Sequence, residues 1–135
     1  MRKINLIVVH CSASDVKAHD NIETLRKWHV KERGWDDVGY HYVITKDGSI
    51  MKGRKDETVG AHVKGHNSNS LGICLTGNHE FSEAQFLSLE LLTTGLLKKH
   101  GLEKKDIIAH HDLEKGKTCP NFDVHDFVAK RPFII

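Results

Sequence analysis

His10 and His110 each follow a short apolar run, Leu6-Ile7-Val8-Val9 in one case and Ile107-Ile108-Ala109 in the other, and Cys119 comes shortly after His110. Two imidazoles and a thiolate form a donor set suited to a transition metal. Three protein ligands with a fourth position left for water is the pattern of a catalytic zinc site. Apolar, β-rich runs of this length read as strands. In sheets covered by helices, ligands gather at the carboxyl ends of strands, so one sheet edge would bring the two histidines together. The segment from His110 to Cys119 is short enough to fold back and set the thiolate beside the imidazole, with Pro120 stiffening its exit. Each residue taken singly also has a plainer reading. A histidine at a strand end is commonly structural or exposed, and a buried free cysteine commonly serves as a small hydrophobe.

Composition points the same way. Eleven histidines in 135 residues stand against roughly three at ordinary usage, so histidine chemistry is where function is sought first. Cys11, Cys74 and Cys119 are odd in number and scattered, which favours reduced thiols over a disulfide framework. Cys11 and Cys74 are flanked by core-like residues and need no chemistry. A net charge of +2 falls short of the basic footprint of a nucleic-acid binder, which sets that partner class aside. No apolar stretch approaches the roughly 20 residues of a membrane helix, so no membrane insertion is expected. The apolar run after Arg2 and Lys3 is too short for a signal peptide and lacks a small-residue cleavage site. The expectation is one domain over residues 1–135, made in the cytoplasm and working as a monomer.

The elements that must position these residues follow from periodicity and end signals. Asp20 with Glu23 resembles a capping box, with Ile22, Leu25 and Trp28 at helical spacing, predicting a helix over about Asn21 to Arg33 that stops at Gly34. Tyr40–Thr45 and Ser49–Lys52 flank Lys46-Asp47-Gly48, a strong hairpin signal. Gly60 to Ser70 reads as a surface loop carrying two histidines, and Leu71 to Thr76 returns to strand character. Ser82 with Gln85 opens the best helix, whose apolar face is expected to include Phe86, Leu87, Leu89, Leu91, Leu92, Leu96 and Leu97 before Gly101 ends it. A last helix is expected near Val124 to Ala129, ahead of Pro132. Alternating strands and helices predict an α/β fold with a mixed central sheet of about five strands, helices on its faces and the metal site at the strand ends.

Longer motifs add a resemblance. V-H-C-S-A-S at Val9–Ser14, G-W-D-D-V-G-Y-H-Y at Gly34–Tyr42, K-D-G-S-I at Lys46–Ile50, G-R-K-D-E at Gly53–Glu57, V-G-A-H-V-K-G-H-N-S-N-S-L-G-I-C-L at Val59–Leu75 and A-H-H-D…K-T-C-P-N-F-D over Ala109–Asp123 cover nearly the whole chain. Together they resemble the zinc amidases of the phage-lysozyme type, relatives of the animal peptidoglycan recognition proteins. The resemblance implies cleavage of peptidoglycan or muropeptides between the muramyl lactyl group and L-alanine of the stem peptide. It implies one zinc ion on His10, His110 and Cys119, with Tyr40 and Lys117 as catalytic side chains beside it. Without it, Tyr40 would read as a packing residue before a strand and Lys117 as a solvated loop lysine. It favours His110 over the adjoining His111 as ligand and places His62 where the family lines its substrate groove, as a substrate-binding residue; His41, adjoining Tyr40 on the opposite strand face, is assigned a structural role. His19, His29, His79, His100 and His125 fall on expected helical or loop surfaces and receive no role.

Two departures stand out. The segment from His110 to Cys119 is one residue longer than in the phage enzyme, which bears on Lys117, and His66 stands where a tyrosine is common. Two rival readings remain at this point. Some recognition proteins of this superfamily bind the wall without cutting it, having lost the cysteine, which is present here as Cys119. A purely structural zinc would be closed by a fourth protein ligand, for which His111 and Asp112 are near enough in sequence. With no visible export signal, access to the wall would come through release or export by another agent.

Overall fold

The computed structural model describes residues 2–131. Five strands form one sheet in the order β3-β2-β4-β1-β5. They are β1 (Leu6–Cys11), β2 (Tyr42–Ile44), β3 (Ile50–Lys52), β4 (Ser70–Leu75) and β5 (Ile107–Ala109). β1 runs parallel to β4 and β5, β2 parallel to β4, and only the β2–β3 hairpin is antiparallel, turning at Gly48 with φ 87°. The mixed five-stranded sheet expected from the sequence is therefore present, and the buried β1 and β4 explain the unbroken apolar runs.

Helix α1 (Ile22–Lys27) lies on one face; α2 (Glu83–His100) and α4 (Val124–Lys130) cover the other, while α3 (His110–Leu113) is a single turn after β5. Alternation along the strands sorts side chains between the faces. Ile7, Val9, Ile44, Leu71, Ile73, Leu75, Ile107 and Ala109 join Leu89, Leu96, Leu97, Val124 and Phe127 in the larger core. Val43 and Cys74 meet Ile22, Leu25 and Val38 in the smaller one. Parity then settles the site's location. β1 and β5 align Val9 with Ala109, both in the larger core, so His10 and His110, the next residues, emerge side by side on the opposite face at the carboxyl edge.

The long helix begins as expected. Ser82 Oγ accepts from Gln85 N–H at 3.0 Å and Gln85 Oε1 accepts from Ser82 N–H at 2.9 Å, while Gly101 closes the helix at φ 64°. Gln85 also donates from its buried amide to the carbonyls of Ile44 and Thr76, tying the helix to the ends of β2 and β4. Its apolar face is narrower than expected: Leu87 and Leu91 are 52% and 65% exposed, because only the Leu89, Leu96 and Leu97 side reaches the sheet. The first helix differs too. Asn21, not Asp20, is the cap, accepting from Thr24 N–H at 2.7 Å, and Asp20 instead accepts from Lys46 N–H and the Thr76 hydroxyl. After Lys27 the helix widens into a π-type turn, Trp28–Glu32, before Gly34 at φ 72°. Pro132, expected to end the last helix, lies outside the described residues.

Candidate metal centre and cleft

His10 is buried at the end of β1, and its Nδ1 lies 3.1 Å from Nδ1 of His110. Cys119 completes a group in which each residue offers one ligand atom and those atoms lie within 4.8 Å of one another. The loop folds back as the short spacing demanded. His111 N–H donates to the Cys119 carbonyl at 3.1 Å, His111 Nδ1 lies 3.0 Å from the same oxygen, and Cys11 N–H donates to Cys119 Sγ at 2.9 Å. His111 thus holds the loop carrying the third donor and faces away from the other two. Asp112 is turned away as well, accepting from Ala109 N–H and pairing with His125 Nε2, each at 2.8 Å. Neither neighbour closes the group with a fourth donor.

The protonation states suit a cation from outside. Burial, then the nearby His62 and His110, hold the His10 imidazole well below its ordinary range, so it is neutral. Contact with the Cys11 thiol and burial push the Cys119 thiol up, while the Cys11 N–H it receives pulls the other way. A positive charge beside Cys119 is what would make it a thiolate.

Around this group opens a cleft of about 820 Å³, within the range of small-molecule sites, whose walls include Trp28, Trp35, Tyr40, Lys64, Asn67 and Lys117. Tyr40 precedes β2 instead of starting it, with its ring 5.1 Å from that of His10. Burial, then the thiols of Cys74 and Cys119, raise its phenol well above the usual tyrosine range, so it stays a hydrogen-bond donor. Lys117 is exposed on the loop between His110 and Cys119 and lines the same cleft.

His62 also reaches the cleft wall, but both its ring nitrogens are taken: Nδ1 lies 2.8 Å from His10 Nε2 and Nε2 lies 3.1 Å from Ser70 Oγ. Gly72 lies beneath the ring, where a Cβ would come within 2.6 Å of His62 Cγ. Burial, then His41 and His110, pull His62 down to about 3. His41 is buried with structural partners, accepting from Gly72 N–H at 3.0 Å and bonded from Nε2 to the Thr58 carbonyl at 2.8 Å.

Two residues near the site were not singled out by sequence. His29, expected at a surface, is buried; its Nδ1 accepts from Gly39 N–H at 2.8 Å and so holds the segment leading to Tyr40. Its place one turn along the helix from Leu25 is the signal that could have found it. Glu114, within the segment whose extra length was noted, lies 2.9 Å from His110 Nε2.

Comparison with known proteins decides the family. The N-acetylmuramoyl-L-alanine amidase family model matches residues 1–122. The chain belongs to that family. An endolysin of Enterobacteria phage T3 is 40% identical over 95% of this chain and 87% of its own length. The solved N-acetylmuramoyl-L-alanine amidase LysC from Clostridium intestinale superposes with a TM-score of 0.84 at 32% identity, covering 96% of this chain and 85% of that one. A complex of the peptidoglycan recognition proteins LCa and LCx with tracheal cytotoxin gives 0.81 at 25% identity, over 98% and 85% of the two chains. The amidase is therefore a hydrolase of peptidoglycan. Among its described residues no helix is long and apolar enough to cross a membrane.

Proposed function

We propose that residues 1–135 form one catalytic domain that hydrolyses the amide between the N-acetylmuramic acid lactyl group and L-alanine of the stem peptide, with one zinc ion on His10, His110 and Cys119. The observation that carries the reading is the fit of the donors. Two Zn–N bonds of about 2.0–2.1 Å at a tetrahedral angle put their nitrogens roughly 3.3 Å apart, close to the 3.1 Å between the two Nδ1 atoms. His111 and Asp112 both face elsewhere, which favours an open catalytic site over a closed structural one. The presence of Cys119 favours cutting over binding alone.

When bound, zinc supplies Lewis acidity toward the scissile carbonyl and toward water. Tyr40, kept protonated at its Oη, donates to the negative charge that develops on the carbonyl oxygen. Lys117 brings a cation from the rim to the same charge. The aromatic walls at Trp28 and Trp35 narrow the cleft and seat the muropeptide. The recognition-protein complex holds tracheal cytotoxin, a monomeric diaminopimelic acid-type peptidoglycan, and a fragment of that kind is the ligand proposed here. The cell wall is the proposed place of action, in keeping with relatives named endolysins.

Digestion of purified peptidoglycan tests this. Mass spectrometry should find free stem peptides with new alanine amino termini and intact glycan strands. New reducing sugar ends without released peptides would make the chain a glycosidase and end the proposal.

A further inference from the structure

The two histidine donors are held from behind by chemically different partners. Ser70 Oγ has one hydrogen, and the His66 carbonyl 2.7 Å away accepts it. Toward His62 Nε2, at 3.1 Å, Ser70 is therefore the acceptor, and Nε2 carries the proton. A neutral His62 then has a lone pair on Nδ1, and His10 Nε2, at 2.8 Å, must be the donor to it. That leaves the His10 lone pair on Nδ1. The second arm is shorter. Glu114 Oε1 can only accept, so His110 Nε2 donates to it at 2.9 Å, and in the neutral imidazole that a metal requires the His110 lone pair is also on Nδ1. With both imidazoles neutral the network turns two lone pairs toward each other at 3.1 Å, an arrangement that repels unless a proton or a metal cation lies against both.

We infer that His62 and Glu114 are the positioning residues of this site, His62 fixing His10 through a neutral relay from Ser70 and Glu114 fixing His110 through its carboxylate. The inference rests on the zinc reading above and gives His62 this role in place of the substrate contact expected from sequence. Each arm is itself anchored. Ser70 begins β4 and is fully buried. The Glu114 carboxylate also accepts from Lys64 N–H at 3.1 Å, which ties the segment before Cys119 to the loop that carries His62. A carboxylate behind a ligand imidazole raises its basicity as well as orienting it, whereas a neutral imidazole mainly orients. Glu114 should therefore matter through its charge, and His62 through its geometry.

The test uses the full chain and the variants Glu114→Ala, Glu114→Gln, His62→Ala and Ser70→Ala. Zinc affinity is read by competition with a chromophoric chelator, the donor geometry by the visible spectrum of the cobalt(II) form, and folding by thermal unfolding of the metal-free protein. Glu114→Ala and His62→Ala should weaken zinc by on the order of 10- to 100-fold and alter the cobalt bands. Glu114→Gln keeps an oxygen acceptor but not the charge and should recover part of the loss. Should His62→Ala fail to fold, Ser70→Ala carries that arm: it removes only the acceptor that sets the His62 tautomer, and should cost a few-fold in affinity with altered cobalt bands. Zinc affinities within about twofold of the parent, with unchanged cobalt spectra in Glu114→Ala and Ser70→Ala, would overturn the positioning roles alone. A parent chain that takes up no stoichiometric zinc would instead overturn the metal reading, and this inference with it.

Discussion

Two polar clusters in this chain are built from segments remote in sequence, and they end in opposite states. At Asp56 the buried carboxylate accepts from Lys52 Nζ at 2.6 Å, Tyr42 Oη at 2.8 Å and Lys99 Nζ at 3.2 Å. Burial alone would raise this carboxyl, but the hydrogen bonds from Lys52 and Tyr42 and the lysine charges override it and hold it well below the usual range. That charge is answered within the chain. At His10 and His110 the two Nδ1 atoms face each other at 3.1 Å, and the groups that hold the other ring nitrogens, His62 and Glu114, lie behind the rings. A cluster that closes on itself holds a fold together; one that aims acceptors at acceptors is completed by something from outside. The same low-dielectric interior that strengthens the first makes the second costly until a cation arrives.

The sharpest way to break this contrast is Cys119→Ser, which replaces a soft thiolate with a poor neutral ligand. Activity at limiting zinc should fall by more than about 10³-fold, beyond the 10- to 100-fold of an outer-shell loss, with zinc stoichiometry falling alongside. Full occupancy with unimpaired hydrolysis would remove Cys119 from the ligand set. Next in size is Tyr40→Phe, which should retain zinc but lose on the order of 10² to 10³ in kcat, with little change in KM. Lys117→Met asks the same of the cation. Near-normal kcat in both zinc-loaded variants would withdraw their catalytic roles.

Metal removal separates the clusters directly. Free zinc at about a hundred times its Kd should add roughly 2.7 kcal/mol of stability to the parent. Asp56→Asn should gain the same amount and Cys119→Ser almost none, as read by denaturant midpoints with and without chelator. Equal gains in all three would mean that zinc binds elsewhere. The smallest effect is Asp56→Asn itself, about 1–2 kcal/mol, held down because Lys52 and Lys99 are 48% and 61% exposed and hydrate readily once released. Its pH dependence has a definite sign. A carboxylate whose folded-state pKa is depressed contributes stability above its unfolded value near 4, and that contribution fades as pH falls below it. Acid titration of stability should therefore be shallower in Asp56→Asn than in the parent; equal slopes would show that Asp56 does not drive the acid response.

Features set by neighbours in the chain were legible. The Asp47-Gly48 hairpin, the Ser82–Gln85 cap and the Gly101 stop each depend on a few adjacent residues, and all are present. The two strand ends bearing His10 and His110 were legible from apolar runs, and the long motifs marked Cys119 beside them. The first helix cap was misread because Asp20 and Asn21 are both capable caps, and Asp20 is claimed by Lys46 and Thr76 from across the sheet. His29 was misread as a surface residue although it lies one turn from Leu25; the returning segment packs Trp35 and Tyr40 on its ring and sets Gly39 N–H on its Nδ1.

By itself, then, the sequence determined the five strands, the ends of the long helix, the family and the clustering of His10, His110 and Cys119, since these follow from local backbone preferences and from residue types in ordered motifs. Only the tertiary structure decided which nitrogen of each histidine faces the site, that His111 and Asp112 turn away from it, and that His62 and Glu114 stand behind His10 and His110. A tautomer is chosen by the hydrogen-bond partner on the far side of the ring. For His10 that partner arrives from a loop 52 residues away, placed by the β1–β4 register and by parity across the sheet.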